Sequence, residues 1–351
     1  MSGRFRTPFE RFLANEASGG FVLIAATVAA LAFATALGGD AWHHAWDREL
    51  TIISGGRFRL GLSFHGWVNE ALMAFFFLLV GLELKRELLL GELANARDAV
   101  LPVVAALGGM AVPALVFAAF NAGTPTAAGW GIPMATDIAF AIGILRLLGD
   151  RVPRTLVVFL TALAIADDLG AVLVIALFYS AHLDFHALRA CAALFVLLVI
   201  FNRGGVRSVV PYLLVGAMLW YYMLASGVHA TIAGVLLAAT IPASARSSAR
   251  QLEERLGELH DDLRADGTDF AAIANAAEEV GAAAQSPLQR LEHALSPWVA
   301  FVVVPLFALA NAGIDLSSIR WGEAFSSSLT IGVMAGLVVG KFVGISLFTW
   351  A

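Results

Sequence analysis

Long apolar stretches constrain this chain more than any other feature of its sequence. A helix must supply about 20 consecutive apolar residues to cross a bilayer core, and ten stretches come close to that length. Hydrophobic residues make up 59% of the 351 residues and charged residues 14%, against about 45–50% and about 25% in soluble domains. The sequence therefore predicts an all-α polytopic membrane protein and argues against a water-soluble enzyme. The predicted spans are residues 20–38, 66–84, 99–120, 129–148, 155–179, 186–202, 207–224, 226–242, 296–313 and 329–351.

Polar segments lie between these spans, and we assign all of them to one membrane-embedded domain, residues 1–351. Residues 43–65 hold two short alternating runs around a Gly-Gly pair, which is typical of a β-hairpin, although an unstructured loop is the alternative. Residues 245–290 carry dense acidic charge and predict a solvated, partly helical loop. Residues 5–16 are basic and amphipathic, and they predict a helix on the membrane surface.

The distribution of Lys and Arg predicts the orientation of the spans. If the N-terminus is cytoplasmic, sixteen of the 22 Lys and Arg residues lie on the cytoplasmic side, five lie on the opposite side and Lys341 lies within a span. This positive-inside bias supports both the span count and a cytoplasmic N-terminus. The net charge of −5 is small for this length, so no nucleic-acid partner is expected.

Four ionisable residues lie far inside apolar spans. They are Asp137 in the fourth span, Asp167 and Asp168 in the fifth, and Lys341 in the tenth. A charge at the bilayer centre costs about 2.5–3.5 kcal/mol on insertion scales, so four of them predict either a structural ion pair or an ion pathway. We favour the pathway, because a carboxylate at that depth can alternate between a proton and a cation. Since adjacent helical residues point about 100° apart, one aspartate can pair with Lys341 while the other faces a water-filled cavity.

The fourth span carries a second signal. Gly131, Pro133 and the polar pair Thr136-Asp137 interrupt its apolar run. This pattern predicts a discontinuous helix whose unwound backbone lines a binding site, and a merely kinked helix is the alternative.

Six segments around these residues carry a resemblance to a known family. In their order along the chain they resemble the NhaA-type Na+/H+ antiporters, and the match extends over nearly the whole sequence. The segments are WVNEALMAFFFLLVGLELKREL (67–88), PMATDIAFAIGIL (133–145), ALAIADDLGAVLVIALFYS (162–180), SGVHATIAGV (226–235), SPWVAFVVVPLFALANAG (296–313) and GKFVGISLF (340–348).

The resemblance implies a secondary active transporter that exchanges Na+ (or Li+) for H+ across the bacterial inner membrane. Such exchange would be electrogenic and pH-regulated and would serve Na+ and pH homeostasis, with no cofactor and no enzyme activity. The implied fold is an inverted repeat, in which spans three to five recur upside down as spans ten to twelve and the broken fourth span crosses a broken eleventh. Because the sequence ends at Ala351 with the tenth predicted span, we expect the last two spans to be absent, and a non-transporting remnant is one alternative.

The resemblance also implies roles for the intramembrane residues. Asp168 corresponds to the principal Na+ ligand, with Asp167 beside it as the residue paired with Lys341. Thr136 and Asp137 correspond to the unwound part of the fourth span. There Asp137 would offset the positive ends of half-helices and Lys341 the negative ends.

Five further residues fall where the family regulates transport by pH. Glu83, Glu87, Glu292 and His293 correspond to its cytoplasmic pH-responsive cluster, and His229 corresponds to a position that tunes the response. A solvated charged helix end is the alternative for the first four residues, and a core histidine is the alternative for His229.

Two other functions compete with ion exchange. A Na+-coupled organic-anion symporter of related fold would need a wider polar cavity, whereas these spans are mostly Ala, Leu, Val and Gly. An intramembrane aspartyl protease needs two aspartates facing each other from different helices, whereas Asp167 and Asp168 are consecutive. The expected partners are Na+, H+ and the lipid bilayer, together with a second copy of the chain paired by strand addition at the 43–65 hairpin.

Overall fold

The computed structural model describes residues 16–55, 58–91, 94–134, 152–179, 183–244, 249–264 and 270–350. Helices dominate these ranges, and a two-stranded sheet joins the first and second of them. The elements in chain order are α1 (Glu16–Leu37), α2 (Gly39–Trp46), β1 (Glu49–Gly55), β2 (Phe58–Ser63), α3 (Phe64–Leu90), α4 (Ala96–Asn121), a 3-10 helix (Pro125–Met134), α5 (Arg154–Phe178), α6 (Phe185–Arg203), α7 (Val209–Ala225), α8 (Ile232–Thr240), α9 (Ala249–Arg264), α10 (Phe270–Ala284), α11 (Pro287–Asn311), α12 (Trp321–Ser326) and α13 (Ser328–Trp350).

Long apolar helices confirm that the chain is a polytopic α-helical membrane protein. Within the described ranges, six helices are long and apolar enough to cross a membrane, namely α1, α3, α4, α6, α11 and α13. Helix α5 has 25 residues and coincides with the predicted fifth span. Helix α7, with 17 residues, coincides with the predicted seventh.

The eighth predicted span contains only a short helix, and the structure describes the fourth only in part. The eighth, residues 226–242, is wrong as a single crossing helix, because α8 has nine residues and is therefore about 14 Å long. The turn before α8 contains Gly227 with a φ of 81°, a left-handed conformation that favours glycine. The fourth predicted span begins as the 3-10 helix Pro125–Met134. Its remainder lies outside the described residues, so the break at Thr136 and Asp137 stays a prediction.

Three of the long helices contain a π-helical turn. These turns lie at Trp67–Leu72 in α3, Val299–Val303 in α11 and Gly336–Gly340 in α13. Such turns are rare and often mark functional sites. The turn in α13 ends directly before Lys341, which is the intramembrane cation predicted from the sequence.

A stripe of glycines brings α13 close to α4. The stripe repeats every fourth residue and therefore lies on one helix face, at Gly332, Gly336, Gly340 and Gly344. A Cβ on Gly340 would lie 2.8 Å from the Cα of Pro113, and one on Gly344 would overlap the carbonyl of Gly108. Small residues allow the two backbones to approach this closely, as in other membrane helix pairs.

The described spans fall into two packing groups. In the first group, α4 contacts α5, α13 and the 3-10 helix. In the second group, α3 contacts α8 and α11, α7 contacts α6 and α8, and α11 contacts α1. Among the described residues, packing between elements of different groups is sparse.

Side-chain hydrogen bonds connect the elements of the first group, including the 3-10 helix. The amide of Asn121, at the end of α4, donates to the carbonyl of Ser328 at the start of α13 over 3.1 Å. The hydroxyl of Tyr179, just after α5, donates to the carbonyl of Ala128 over 2.7 Å and accepts from the N–H of Gly131 over 3.0 Å. These bonds hold the chain that leads to the predicted break in the fourth span.

The β-hairpin is confirmed with shorter bounds than 43–65. Strands β1 and β2 pair antiparallel, with a register shift between Thr51 and Ile53, whereas residues 43–46 belong to α2. The indole N–H of Trp67 donates to the carbonyl of Leu50 over 3.0 Å, which ties the hairpin to the start of α3.

The charged segment 245–290 contains more helix than predicted. Helices α9 and α10 pack against each other, and residues 287–290 already belong to α11. Ser286 and Gln289 form a capping box that begins α11. The predicted surface helix at 5–16 lies outside the described residues, except for Glu16.

We predict that Gly340→Ala lowers the thermal stability of the detergent-solubilised protein. The added methyl group meets backbone atoms of Pro113, which cannot rotate away, and overpacking of this kind costs about 1–3 kcal/mol. Gly20→Ala is the matched control, because a Cβ there has no atom within 4 Å among the described residues. Equal melting temperatures for the two variants would contradict the close approach of α13 to α4.

Candidate functional site

A buried ion pair joins helices α5 and α13, which both pack against α4. The Nζ atom of Lys341 lies 2.6 Å from Oδ2 of Asp167. The two side chains are 10% and 2% exposed, respectively. The structure therefore brings together the intramembrane cation and one of the intramembrane aspartates.

Both members of the pair lie near the middle of their helices. Asp167 is the 14th of the 25 residues of α5, and Lys341 is the 14th of the 23 residues of α13. Each therefore lies about 20 Å along an apolar helix. At this depth an isolated charge is costly, so each residue lowers the cost of burying the other.

Helix α4 positions the pair by contacting both partner helices through small residues. Gly340, which precedes Lys341, lies against Pro113 of α4. A Cβ on Gly170 of α5 would collide with the sulfur of Met110, which lies three residues before Pro113 on α4. Because α5 and α13 both approach α4 closely, Lys341 reaches Asp167, which lies one turn before Gly170.

The remaining predicted ion-site residues are less completely described. Asp168 follows Asp167 in α5, and the structure describes its backbone as helical. Thr136 and Asp137 lie outside the described residues. The chain just before them is placed, because Met134 is buried and Pro133 lies where a Cβ on Gly336 would meet it at 2.8 Å. This position is about one turn before Lys341 on α13.

The chemistry available at the pair is that of a carboxylate in an apolar environment. A carboxylate can bind a proton or supply oxygen ligands to a hard cation, and low-dielectric burial makes the two states compete. Among the described residues, no group of three or more His, Cys, Asp and Glu residues could hold a resident metal ion.

A second charged cluster lies near the end of α3 that is remote from the hairpin. Arg86 donates to Glu292 of α11 over 2.8 Å and to its neighbour Glu87 over 3.2 Å. Glu83 lies half-buried on the same helix. His293 is exposed, and its Nδ1 lies 2.7 Å from the carbonyl oxygen of Gln289.

The structure thus joins Glu87 and Glu292 of the predicted pH-responsive residues through Arg86. Arg86 is not recognisable as their partner from the sequence. Lys85 and Arg86 are adjacent basic residues at the end of a span, a pattern that indicates orientation and carries no sign of a partner.

His229 belongs to a different cluster, at the hairpin end of α3. Its Nδ1 lies 3.7 Å from Oε1 of Glu70, and the N–H of Ala230 donates to Oε2 of the same carboxylate over 2.9 Å. The indole N–H of Trp220 donates to the carbonyl of Glu70 over 2.8 Å. Glu70 is a further functional candidate that is not recognisable from the sequence.

An amide network extends this second cluster to α11. The Nδ2 of Asn311 donates to Oδ1 of Asn69 over 2.9 Å, and Oδ1 of Asn311 lies 3.1 Å from Nε2 of His65. Polar side chains therefore connect α3 and α11 beside Glu70.

Comparisons with known proteins identify relatives whose sequences match nearly the whole chain. A family model described as Na+/H+ antiporter 1 matches residues 10–351. The Na+/H+ antiporter NhaA of Syntrophobacter fumaroxidans is 51% identical, and the alignment covers 100% of this chain and 76% of the relative. The corresponding antiporter of Acidithiobacillus ferrooxidans is 52% identical over 98% of this chain and 81% of the relative. That of Escherichia coli O1:K1 is 46% identical over 97% of this chain and 78% of the relative.

We predict that Asp167→Asn and Lys341→Met are each more destabilising than the two substitutions together. Removing one partner leaves an unpaired buried charge and costs about 3–5 kcal/mol, whereas removing both leaves no buried charge. Thermal unfolding in detergent of both single variants and the double variant measures the difference. The exposed pair Arg320–Glu323, 2.9 Å apart, is the control, and neutralising it should cost at most about 1 kcal/mol. Additive losses at Asp167 and Lys341 would contradict their partnership.

Proposed function

The chain belongs to the Na+/H+ antiporter 1 family, and from this membership we propose that it exchanges Na+ (or Li+) for H+ as a secondary active transporter. The proposed exchange takes place across the bacterial inner membrane, is electrogenic and pH-regulated, and serves Na+ and pH homeostasis. The relatives named above are antiporters, and they support this function over an organic-anion symporter.

The observation that carries the proposal is the buried pair of Asp167 and Lys341. A carboxylate and an ammonium group 2.6 Å apart at mid-span are costly to maintain in an apolar bundle. Intramembrane ionisable groups of this kind typically mark ion and proton pathways. Asp168 is the next residue along the same helix.

We assign roles around this pair as follows. Asp168 is the principal Na+ ligand, Asp167 is the neighbouring carboxylate held by Lys341, and Thr136 and Asp137 line the unwound part of the fourth span. Asp137 offsets the positive ends of half-helices. The position of Pro133 beside Gly336 supports this assignment, since it brings the chain before Thr136 against α13, five residues before Lys341.

The proposed architecture is the inverted repeat with alternating access. In such transporters one packed bundle moves against the other around a site near the midplane. The separation of the spans into two packing groups supports this motion, because the first group contains Asp167 and Lys341 and packs sparsely against the second within the described residues.

We propose that pH acts through the charged groups at the two ends of α3. Protonation of Glu292 would weaken its ion pair with Arg86, which links α3 to α11. The same proposed cytoplasmic response includes Glu83, Glu87 and His293. His229 lies near the opposite end of α3.

The proposed orientation has a cytoplasmic N-terminus, a periplasmic hairpin and a cytoplasmic segment 245–290. The positive-inside distribution of Lys and Arg supports it. We further propose a homodimer formed by strand addition at the hairpin. A two-stranded sheet supports pairing there, because both of its strands are edge strands to which a strand of a second copy could add.

We predict that Asp168→Asn abolishes Na+-driven proton release from everted vesicles of a host that lacks its own Na+/H+ antiporters. The substitution removes both a proton-binding carboxylate and the charge of an oxygen ligand for a hard cation. Asp261→Asn, on the exposed face of α9, is the matched control and should transport as the wild type does. Normal Na+-driven proton release by Asp168→Asn would refute the assigned ligand.

A further inference from the structure

The short helix α8 is held at its C-terminal end by Lys85. The ammonium group of Lys85 donates to the carbonyls of Ala239 over 2.7 Å, Ile241 over 2.5 Å and Ala238 over 3.5 Å. An ammonium group has three donors, and the last carbonyls of a helix have no partner within that helix. Asn202 supplements Lys85 by donating to the carbonyl of Thr240 over 2.7 Å.

Glu70 holds the chain at the N-terminal end of the same helix. Its Oε2 accepts from the N–H of Ala230, two residues before α8 begins at Ile232. Glu70 and Lys85 both lie on α3, 15 residues or about 22 Å apart. One helix therefore binds both ends of the other.

The signs of these two charges match the dipole of α8. A helix carries a partial positive charge at its N-terminus and a partial negative charge at its C-terminus, so Glu70 and Lys85 each stabilise the end that they touch. Between them the two backbones are in close contact, because a Cβ on Gly234 would overlap the carbonyl of Ala74. A nine-residue helix is marginal by itself, and these contacts supply the stability that its length does not.

We propose that Glu70 and Lys85 are positioning residues that lock α8 onto α3, so that the two helices move as one rigid part of the second packing group. Both residues lie outside the group that contains Asp167 and Lys341. This role rests on the exchange function proposed above. In that function the lock assists the relative motion of the two packing groups and contributes little to the binding of Na+.

Hydrogen–deuterium exchange of the backbone amides of residues 232–241 tests the lock independently of transport. Lys85→Met and Glu70→Ala should each accelerate exchange there by about tenfold, which is within the range of charge effects at partly buried helix ends. Glu70→Gln keeps an acceptor for Ala230 and should have a smaller effect than Glu70→Ala. Arg250→Met removes one charge from an exposed pair on α9 and serves as the control. Unchanged exchange in both Lys85→Met and Glu70→Ala would overturn the lock.

Initial rates of Na+-driven proton movement, measured against Na+ concentration in everted vesicles, test the functional consequence. Lys85→Met should lower the maximal rate and leave the apparent KM for Na+ unchanged. A rise in KM with an unchanged maximal rate would place Lys85 in ion binding and overturn the positioning role. If the wild type itself shows no Na+/H+ exchange, the proposed function fails, whereas the amide-exchange result still decides whether the lock exists.

Discussion

The rest of the structure depends on one constraint, which is that a carboxylate and an ammonium group at the middle of apolar helices must stay in contact. Asp167 and Lys341 satisfy it at 2.6 Å, with both side chains almost fully buried. The contact requires α5 and α13 to approach each other within the reach of one lysine side chain. The glycine stripe of α13 and the small residues of α4 make that approach possible, since a side chain at Gly340 or Gly344 would strike backbone atoms of α4.

The second packing group contains a helix that is too short to cross a membrane and needs contacts at its ends. Helix α8 has nine residues, and both of its ends are bound by charges from α3. The same α3 contacts α11 through Arg86 and Glu292 at one end and through Asn69 and Asn311 at the other. One helix thus organises the second group, as α4 organises the first.

The sequence predicts the individual intramembrane charges well and their contacts poorly. Asp167 and Lys341 are identifiable because a charge in a long apolar run is rare, and the resemblance to a family of known pattern adds their pairing. The bounds of α8 are not identifiable in this way, because residues 226–242 are mostly apolar, and Gly227 is a local sign of a turn before the helix. The sequence does not reveal the long-range contacts of Arg86, Lys85 and Glu70. Their partners are more than 150 residues away and include backbone carbonyls.

The central claim is that Na+ and protons compete for the carboxylates at the middle of α5. Calorimetric titration of the purified protein with Na+ at a series of pH values tests it directly. If one proton leaves for each Na+ that binds, the apparent affinity for Na+ should weaken about tenfold for each unit of acidification, equivalent to about 1.4 kcal/mol. An affinity for Na+ that stays constant from acid to alkaline pH would contradict the claim.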